Sequence, residues 1–293
     1  MAKILDGIIV RNHIRERLKE KIQSLSVLSG FTTPKLVIIQ IGTLHESTVF
    51  IRQKKLFGEA IGAQVELRQF DEHIHEDALI QEIQSCNTDK TIHGIIVQMP
   101  LPASLDPHRI IESLDPIKDV DGLHSANIKL LWEKKTNGHI PATARGIISL
   151  LDFYNIPIEG KHTVVIGRSA LVGKPTALAF LNRNSTVTIC HSKTTNITEE
   201  TRRADILVTA TGKDLITSKH VSPHQTVIDV GIRPIVKKDG SPGIAGDVEF
   251  DQVKDIVSAL SPVPGGVGPM TVASLFENLM DAYYRALNRD IAS

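Results

Sequence analysis

A lysine on the apolar side of a helix is the first residue in this chain whose position suggests chemistry. Positions 47, 50, 54, 57 and 61 share one helical face and read Ser47, Phe50, Lys54, Phe57 and Ile61, while Lys55 is rotated about 100° away. A lysine drawn into an apolar cleft has its charged form disfavoured, so its pKa falls toward the range useful for proton transfer. The competing reading is a lysine that snorkels to water from the helix edge, the commoner fate of such a residue. Two more polar residues sit where a parallel sheet binds ligands, just beyond strand C-termini. Gln98 follows the apolar run ending at Val97, and Asp121 lies in Lys118-Asp119-Val120-Asp121-Gly122. A glutamine amide can hold a lysine by a hydrogen bond, and an aspartate can bind the paired N–H groups of a heterocycle. Each alone is more often a turn or cap residue.

A second constellation points to a nucleotide. The run Val164-Val165-Ile166-Gly167-Arg168-Ser169-Ala170-Leu171-Val172-Gly173-Lys174-Pro175 reads as a strand, a glycine turn and a second glycine where a helix begins. Glycines there let a backbone approach a pyrophosphate, and the helix N-terminus supplies N–H groups and a positive dipole. The spacing departs from G-x-G-x-x-G, and such a turn also occurs as plain tight packing. In this kind of fold an acidic residue after the second strand binds the ribose of NAD, whereas basic residues accommodate the extra phosphate of NADP. Here that strand ends in His191-Ser192-Lys193, with no carboxylate. Arg168 and Ser192, with His191 or Lys193, suit a 2′-phosphate, because each donates hydrogen bonds and several carry charge. NADP is therefore favoured over NAD, against the alternative that these are solvated loop residues. The twelve histidines lack metal-ligand spacing, and no structural or catalytic metal is expected.

The elements that must position these residues follow from hydrophobic period. Val10, Ile14, Leu18, Ile22 and Leu25 predict a helix over 10–27, and Leu36 to Ile41 a buried strand. A helix over 47–61 stopped by Gly62, a strand at 65–67, a helix at 77–86 and a strand at 92–97 follow. Strands alternating with helices imply a parallel sheet with crossover helices. The stretch 115–146, rich in Pro, Gly, Asp and Thr, holds the domain boundary. Beyond it, β-branched runs at 163–166, 186–189, 205–208 and 226–230 form a second α/β domain. A Pro/Gly-rich loop at 262–269 leads into a helix over about 271–287, long enough to pack back on the first domain.

Length and composition agree with two such domains. The chain has 293 residues, 33 Lys+Arg against 33 Asp+Glu and 41% hydrophobic residues. A formal net charge of +0 excludes the basic excess from which nucleic-acid and membrane-surface binders draw affinity. No apolar stretch approaches the roughly 20 residues that span a bilayer. Arg11, His13 and Arg15 interrupt the short apolar run near the N-terminus, unlike a signal peptide. The two cysteines, Cys86 and Cys190, show no redox or metal spacing. A soluble cytoplasmic protein is expected.

Taken together, these segments resemble the bifunctional methylenetetrahydrofolate dehydrogenase/methenyltetrahydrofolate cyclohydrolases over nearly the whole chain. The resemblance rests on Lys54 in its helix, Val97 to Pro102, Lys118 to Gly122, Gly167-Arg168-Ser169, His191-Ser192, Asp229 to Ile232, Gly246-Asp247-Val248 and, most specifically, Pro262 to Thr271. It implies an α/β protein of two domains: a tetrahydrofolate-binding catalytic domain at 1–140 plus 272–293, and a Rossmann-type NADP-binding domain at 141–271. It implies two coupled reactions, in which NADP takes a hydride from 5,10-methylenetetrahydrofolate and water then opens the methenyl product to 10-formyltetrahydrofolate. Lys54 is the implied acid/base, Gln98 its tuning partner and Asp121 the pterin anchor. Ser47, Phe50, Pro264 and Gly265 are implied on the folate side, and Gly167, Arg168, Ser169, Ser192 and Ile232 as NADP contacts. A homodimer formed through the nucleotide domain is implied as well.

Departures from the family pattern fall on the folate side. Phe50 stands where a tyrosine is usual, Pro141-Ala142-Thr143-Ala144-Arg145-Gly146 replaces a Pro-Cys-Thr-Pro-x-Gly stretch, and Gly42 to Glu46 lacks the typical Asp and small residues. Three alternatives stay open at this point: a dehydrogenase with a weakened or lost cyclohydrolase step, a folate- or NADP-binding regulator without turnover, and an NADP oxidoreductase with another substrate.

Overall fold

In the computed structural model, residues 1–27, 31–43, 45–236 and 240–292 are described, without the side chains of 45–47 and 288–292. The chain divides into two compact units. One, the Lys54 unit, comprises Asn12–Ala142 and the residues from Val272 onward; the other, the Gly167 unit, comprises Met1–Arg11 and Thr143–Thr271.

The Lys54 unit is built on a three-stranded parallel sheet with Lys35–Ile41 in the centre, Gln64–Phe70 on one side and Gly94–Val97 on the other. Leu36, Val37, Ile38 and Ile39 are all fully buried, which is why the central strand reads as an unbroken apolar run rather than an alternation. Val37, Ile39, Ile41, Ile95 and Val97 face Leu79, Ile83 and Cys86 of the helix Glu76–Thr88. The last helix, Val267–Ala292, gives this unit Phe276, which stacks on Phe57 at 5.1 Å between ring centroids, and Asn278, whose Nδ2 donates to the Val120 and Ile140 carbonyls.

Several boundaries shift from those read in sequence. The strand expected at 65–67 runs from Gln64 to Phe70, because every residue pairs with Lys35–Ile41. The strand expected from Ile92 starts at Gly94, since the Ile92 N–H closes a turn onto the Asp89 carbonyl. The 115–146 stretch contains the helix Ser125–Trp132, started where the His124 ring accepts the Ala126 N–H, and the start of Ala142–Phe153. The last helix begins at Val267, inside the segment read as loop, because a proline such as Pro269 is tolerated in a first helical turn.

The Gly167 unit has a six-stranded, wholly parallel sheet in the order Lys3–Ile4, Ala259–Leu260, Thr226–Asp229, Ile206–Thr209, His162–Ile166, Thr186–Cys190. Residues 1–11, placed with the first domain in the sequence reading, lie in this unit instead: Lys3 pairs with Ala259 and Ile4 with Leu260, and Leu5 is fully buried. Two-residue strands carry no readable period, so neither Lys3–Ile4 nor Ala259–Leu260 is visible in sequence. An antiparallel pair, Arg233–Val236 with Pro242–Ala245, is likewise an addition. Among the described residues no helix is long and apolar enough to cross a membrane.

Candidate active site

Lys54 lies within the helix His45–Ile61 and is only 8% exposed, so the apolar stripe buries it rather than letting it snorkel. Its Nζ donates to Gln98 Oε1 at 2.7 Å. Gln98 extends the strand end, its N–H donating to the Ile39 carbonyl at 2.8 Å. Its own Nε2 donates to the Met99 carbonyl at 2.8 Å, which turns the amide oxygen toward the lysine. Asp121 arrives by register: Ile95 bridges Asp119 in parallel, and the Ile95 N–H donates to the Lys118 carbonyl at 2.7 Å. Two residues further along, Asp121 therefore stands beside the strand end that carries Gln98.

The electrostatics couple these groups. Burial strips water from the Lys54 ammonium and pushes its pKa below the ordinary lysine value, while the nearby Asp121 charge opposes that shift. Burial pushes Asp121 up, with Lys54 pulling the other way. A buried amine held by a neutral amide oxygen and faced by a carboxylate can give and take a proton without large rearrangement. Phe50, one turn before Lys54, is half-buried. The side chain of Ser47 and residue Leu44 of the preceding loop lie outside the described residues. Ala142 and Ala144 are both buried.

In the Gly167 unit the turn is closed by backbone contact. Gly167 has φ +123°, and a Cβ on it would stand 2.6 Å from the Ala210 carbonyl oxygen. A Cβ on Gly173, the first residue of the helix Gly173–Asn182, would stand 2.2 Å from the Gly167 oxygen. Both positions need glycine for the loop to lie flat over the helix N-terminus. Ser169 Oγ accepts the N–H groups of Val172 and Gly173, each at 3.2 Å, so this hydroxyl caps the turn. Arg168 and Ser192 are exposed and brought together by register, each two residues beyond the paired Ile166 and Cys190. The His191 ring accepts the Lys193 N–H at 3.1 Å and serves its own turn. Ile232 is exposed past Gly231. Pro264 and Gly265 lie in this unit, on a loop tied down where the Gly7 N–H donates to the Gly265 carbonyl at 2.8 Å.

Sequence reasoning missed two anchoring residues of the Lys54 unit. Asp119 is buried, its carboxylate accepting from the Gly122 and His124 N–H groups and Asn127 Nδ2, and burial pushes it up to about 6. Lys118 donates to the Cys86, Asn87 and Asp89 carbonyls at the end of a helix. In sequence both are members of the Lys118–Gly122 segment without a role of their own, and only their spatial neighbours give them one. Among the described residues no group of three or more His, Cys, Asp or Glu side chains could hold a metal.

Residues 5–121 match the family model described as tetrahydrofolate dehydrogenase/cyclohydrolase, catalytic domain, and residues 141–287 match the NAD(P)-binding domain of the same family. The chain is 45% identical to the bifunctional protein FolD of Acholeplasma laidlawii over 96% of this chain and 98% of that one. The chain belongs to the tetrahydrofolate dehydrogenase/cyclohydrolase family. Among solved members, a Campylobacter jejuni FolD superposes with a TM-score of 0.92 at 38% identity, covering 97% of this chain and 100% of that one. The Trypanosoma brucei dehydrogenase-cyclohydrolase, solved with NADP cofactor and inhibitor, gives 0.93 at 32% identity over 98% of both chains.

For this dehydrogenase/cyclohydrolase family member the lysine's surroundings make a signed prediction. The Asp121 charge favours the ammonium form of Lys54, so Asp121→Asn removes a negative charge that raises the lysine pKa and leaves burial unopposed. NMR titration of isotope-labelled lysine is expected to show Lys54 deprotonating at lower pH in the variant than in the parent. An unmoved or upward-shifted transition contradicts the coupling.

Proposed function

We propose that the chain oxidises 5,10-methylenetetrahydrofolate to 5,10-methenyltetrahydrofolate with NADP and hydrolyses that product to 10-formyltetrahydrofolate. The observation that carries this reading is the buried Lys54–Gln98 hydrogen bond with Asp121 beside it. The substrate of the second step is a cation, which disfavours a charged neighbour and so adds to the burial that already keeps Lys54 easy to deprotonate. As the neutral amine, Lys54 accepts a proton from the water that adds to the methenyl carbon, and returns one to the nitrogen that leaves as the ring opens. Gln98 holds Nζ in place through both states, because the lysine remains a donor whether charged or neutral. Asp121 offers its carboxylate to the N–H groups of the pterin.

The glycine turn fits a dinucleotide, since Gly167 and Gly173 let the loop pack on the Ala210 and Gly167 carbonyls, which folds it tightly over the helix N-terminus whose N–H groups a pyrophosphate needs. NADP, when bound, supplies the hydride acceptor of the first step. Gly167, Ser169 and Ile232 border its site in this reading, and Arg168 with Ser192 meets the 2′-phosphate. The absence of a carboxylate after Cys190 supports NADP over NAD. The reading extends to Ser47, Phe50, Pro264 and Gly265 on the folate side and to a domain division close to residues 141 and 271. A homodimer is part of it, supported by Ile189, 42% exposed on the last strand of the sheet, and by Val236 at 77% on the added pair. Two buried free thiols, Cys86 and Cys190, support a reducing, cytoplasmic location.

A spectrophotometric assay following NADPH and the methenyl absorbance together tests the reading. Both signals should rise with methylenetetrahydrofolate and NADP, and the methenyl signal should then decay. Formation of neither overturns it. Phe50 favours one variation, a slowed second step, because a missing hydroxyl that leaves a buried partner unpaired costs about 1 to 3 kcal/mol, or roughly 10- to 100-fold. Phe50→Tyr is then expected to speed methenyl decay, and an unchanged decay removes this variation.

A further inference from the structure

We propose that Asp247, backed by Asp229, is a positioning residue for the cofactor: it holds the two loops after Ile206–Thr209 and Thr226–Asp229 in the shape a dinucleotide requires. The proposal rests on the nucleotide half of the function given above. Asp247 is fully buried, on the segment leaving the strand Pro242–Ala245. Its Oδ2 accepts from Thr209 Oγ1 at 2.8 Å, the Thr211 N–H at 2.6 Å and Thr211 Oγ1 at 2.9 Å, and its Oδ1 accepts the Lys213 N–H at 2.9 Å. One carboxylate thus gathers a whole strand-end loop.

Asp229 fixes Asp247 in turn. Its Oδ1 accepts the Gly231 N–H at 2.9 Å and the Asp247 N–H at 3.0 Å, and its Oδ2 accepts the Val248 N–H at 2.9 Å. Two glycines make this reciprocal packing possible. A Cβ on Gly231 would stand 2.0 Å from Asp247 Oδ1, and one on Gly246 would stand 1.9 Å from Asp229 Oδ2. The loop that Asp247 holds is also the one that meets the glycine turn, at the Ala210 carbonyl under Gly167. The segment under Asp229 leads directly into Ile232.

Apolar side chains of similar size would fill the same space without dictating where the loop N–H groups point. Buried carboxylates do dictate it, because each oxygen must be met by donors. The orientation of the Thr211–Lys213 backbone is therefore tied to Asp247 rather than to packing alone.

Asp247→Asn tests this, since an amide must turn its NH2 toward N–H donors at one of the two positions. NADP binding is measured by calorimetry, the dehydrogenase by steady-state kinetics, and the cyclohydrolase on preformed methenyltetrahydrofolate without nucleotide. The NADP Kd and KM should rise about tenfold or more while kcat and the nucleotide-free cyclohydrolase stay within about threefold. Thr211→Val, nearly isosteric, should move the Kd and KM in the same direction by a smaller factor, and decides the matter if Asp247→Asn fails to fold. Wild-type NADP affinity in the folded asparagine variant, or in the valine variant when it alone folds, overturns the proposal. A parent chain that turns over methenyltetrahydrofolate but binds no NADP overturns the nucleotide reading and this proposal together.

Discussion

Replacing Lys54 with methionine is expected to slow methenyltetrahydrofolate hydrolysis by about 10²- to 10⁴-fold, the range that a positioned proton-transfer group contributes. Methionine keeps the length and fills the apolar pocket but removes the amine. The substitution also leaves Gln98 Oε1 without its 2.7 Å donor and Asp121 without the positive charge that restrains its pKa. Hydride transfer needs no proton from this lysine, so the first step should fall less than the second. In the coupled assay the signature is NADPH formation with methenyl absorbance that accumulates and stays. Hydrolysis within tenfold of the parent would remove Lys54 from the role of acid/base.

Gly173→Ala should separate the two activities in the opposite sense. The added methyl would stand 2.2 Å from the Gly167 oxygen and 2.9 Å from the Arg168 nitrogen, backbone atoms that cannot rotate away. The turn must open, and the N–H groups at the helix N-terminus then lose their common direction. NADP affinity is expected to fall by about 100-fold or more, a loss of roughly 3 kcal/mol. Nucleotide-free cyclohydrolase turnover, which draws on Lys54, Gln98 and Asp121, should persist. An alanine variant that binds NADP as the parent does would show that the turn tolerates the methyl and that its glycine serves packing alone.

The two sites were legible to different depths, for a physical reason. Lys54 could be picked out because a period of 3.6 places it on a stripe with Phe57 and Ile61, and that stripe is local in sequence. Its burial was not decidable, because the groups that surround it come from Gln98 and Asp121, which stand far along the chain. The Gly167 turn was readable because its constraint is also local: strand, glycine and helix start lie within a dozen residues. Asp119, Asp229 and Asp247 were opaque. Asp119 and Asp247 lie in loop segments where an aspartate ordinarily caps a turn in water, and Asp229 ends a strand; only the N–H groups that converge on them in space make them buried anchors. The parallel α/β class followed from alternation, whereas the strands Lys3–Ile4 and Ala259–Leu260 are too short to show a pattern and exist because the second pairs with Thr226–Asp229 and the first with the second.

That last pairing bears on how the chain is made. A ribosome delivers Lys3 and Ile4 more than 250 residues before their partner strand. Closing so long a loop adds little entropy beyond a shorter one but delays the contact. The Lys54 unit waits as well, since Phe276 and Asn278 come from the final helix. Neither half can be finished as an isolated stretch of nascent chain. A gene truncated just before Val272 would therefore be expected to deprive the Lys54 unit of Phe276 and Asn278, although all three strands of its sheet had already been translated.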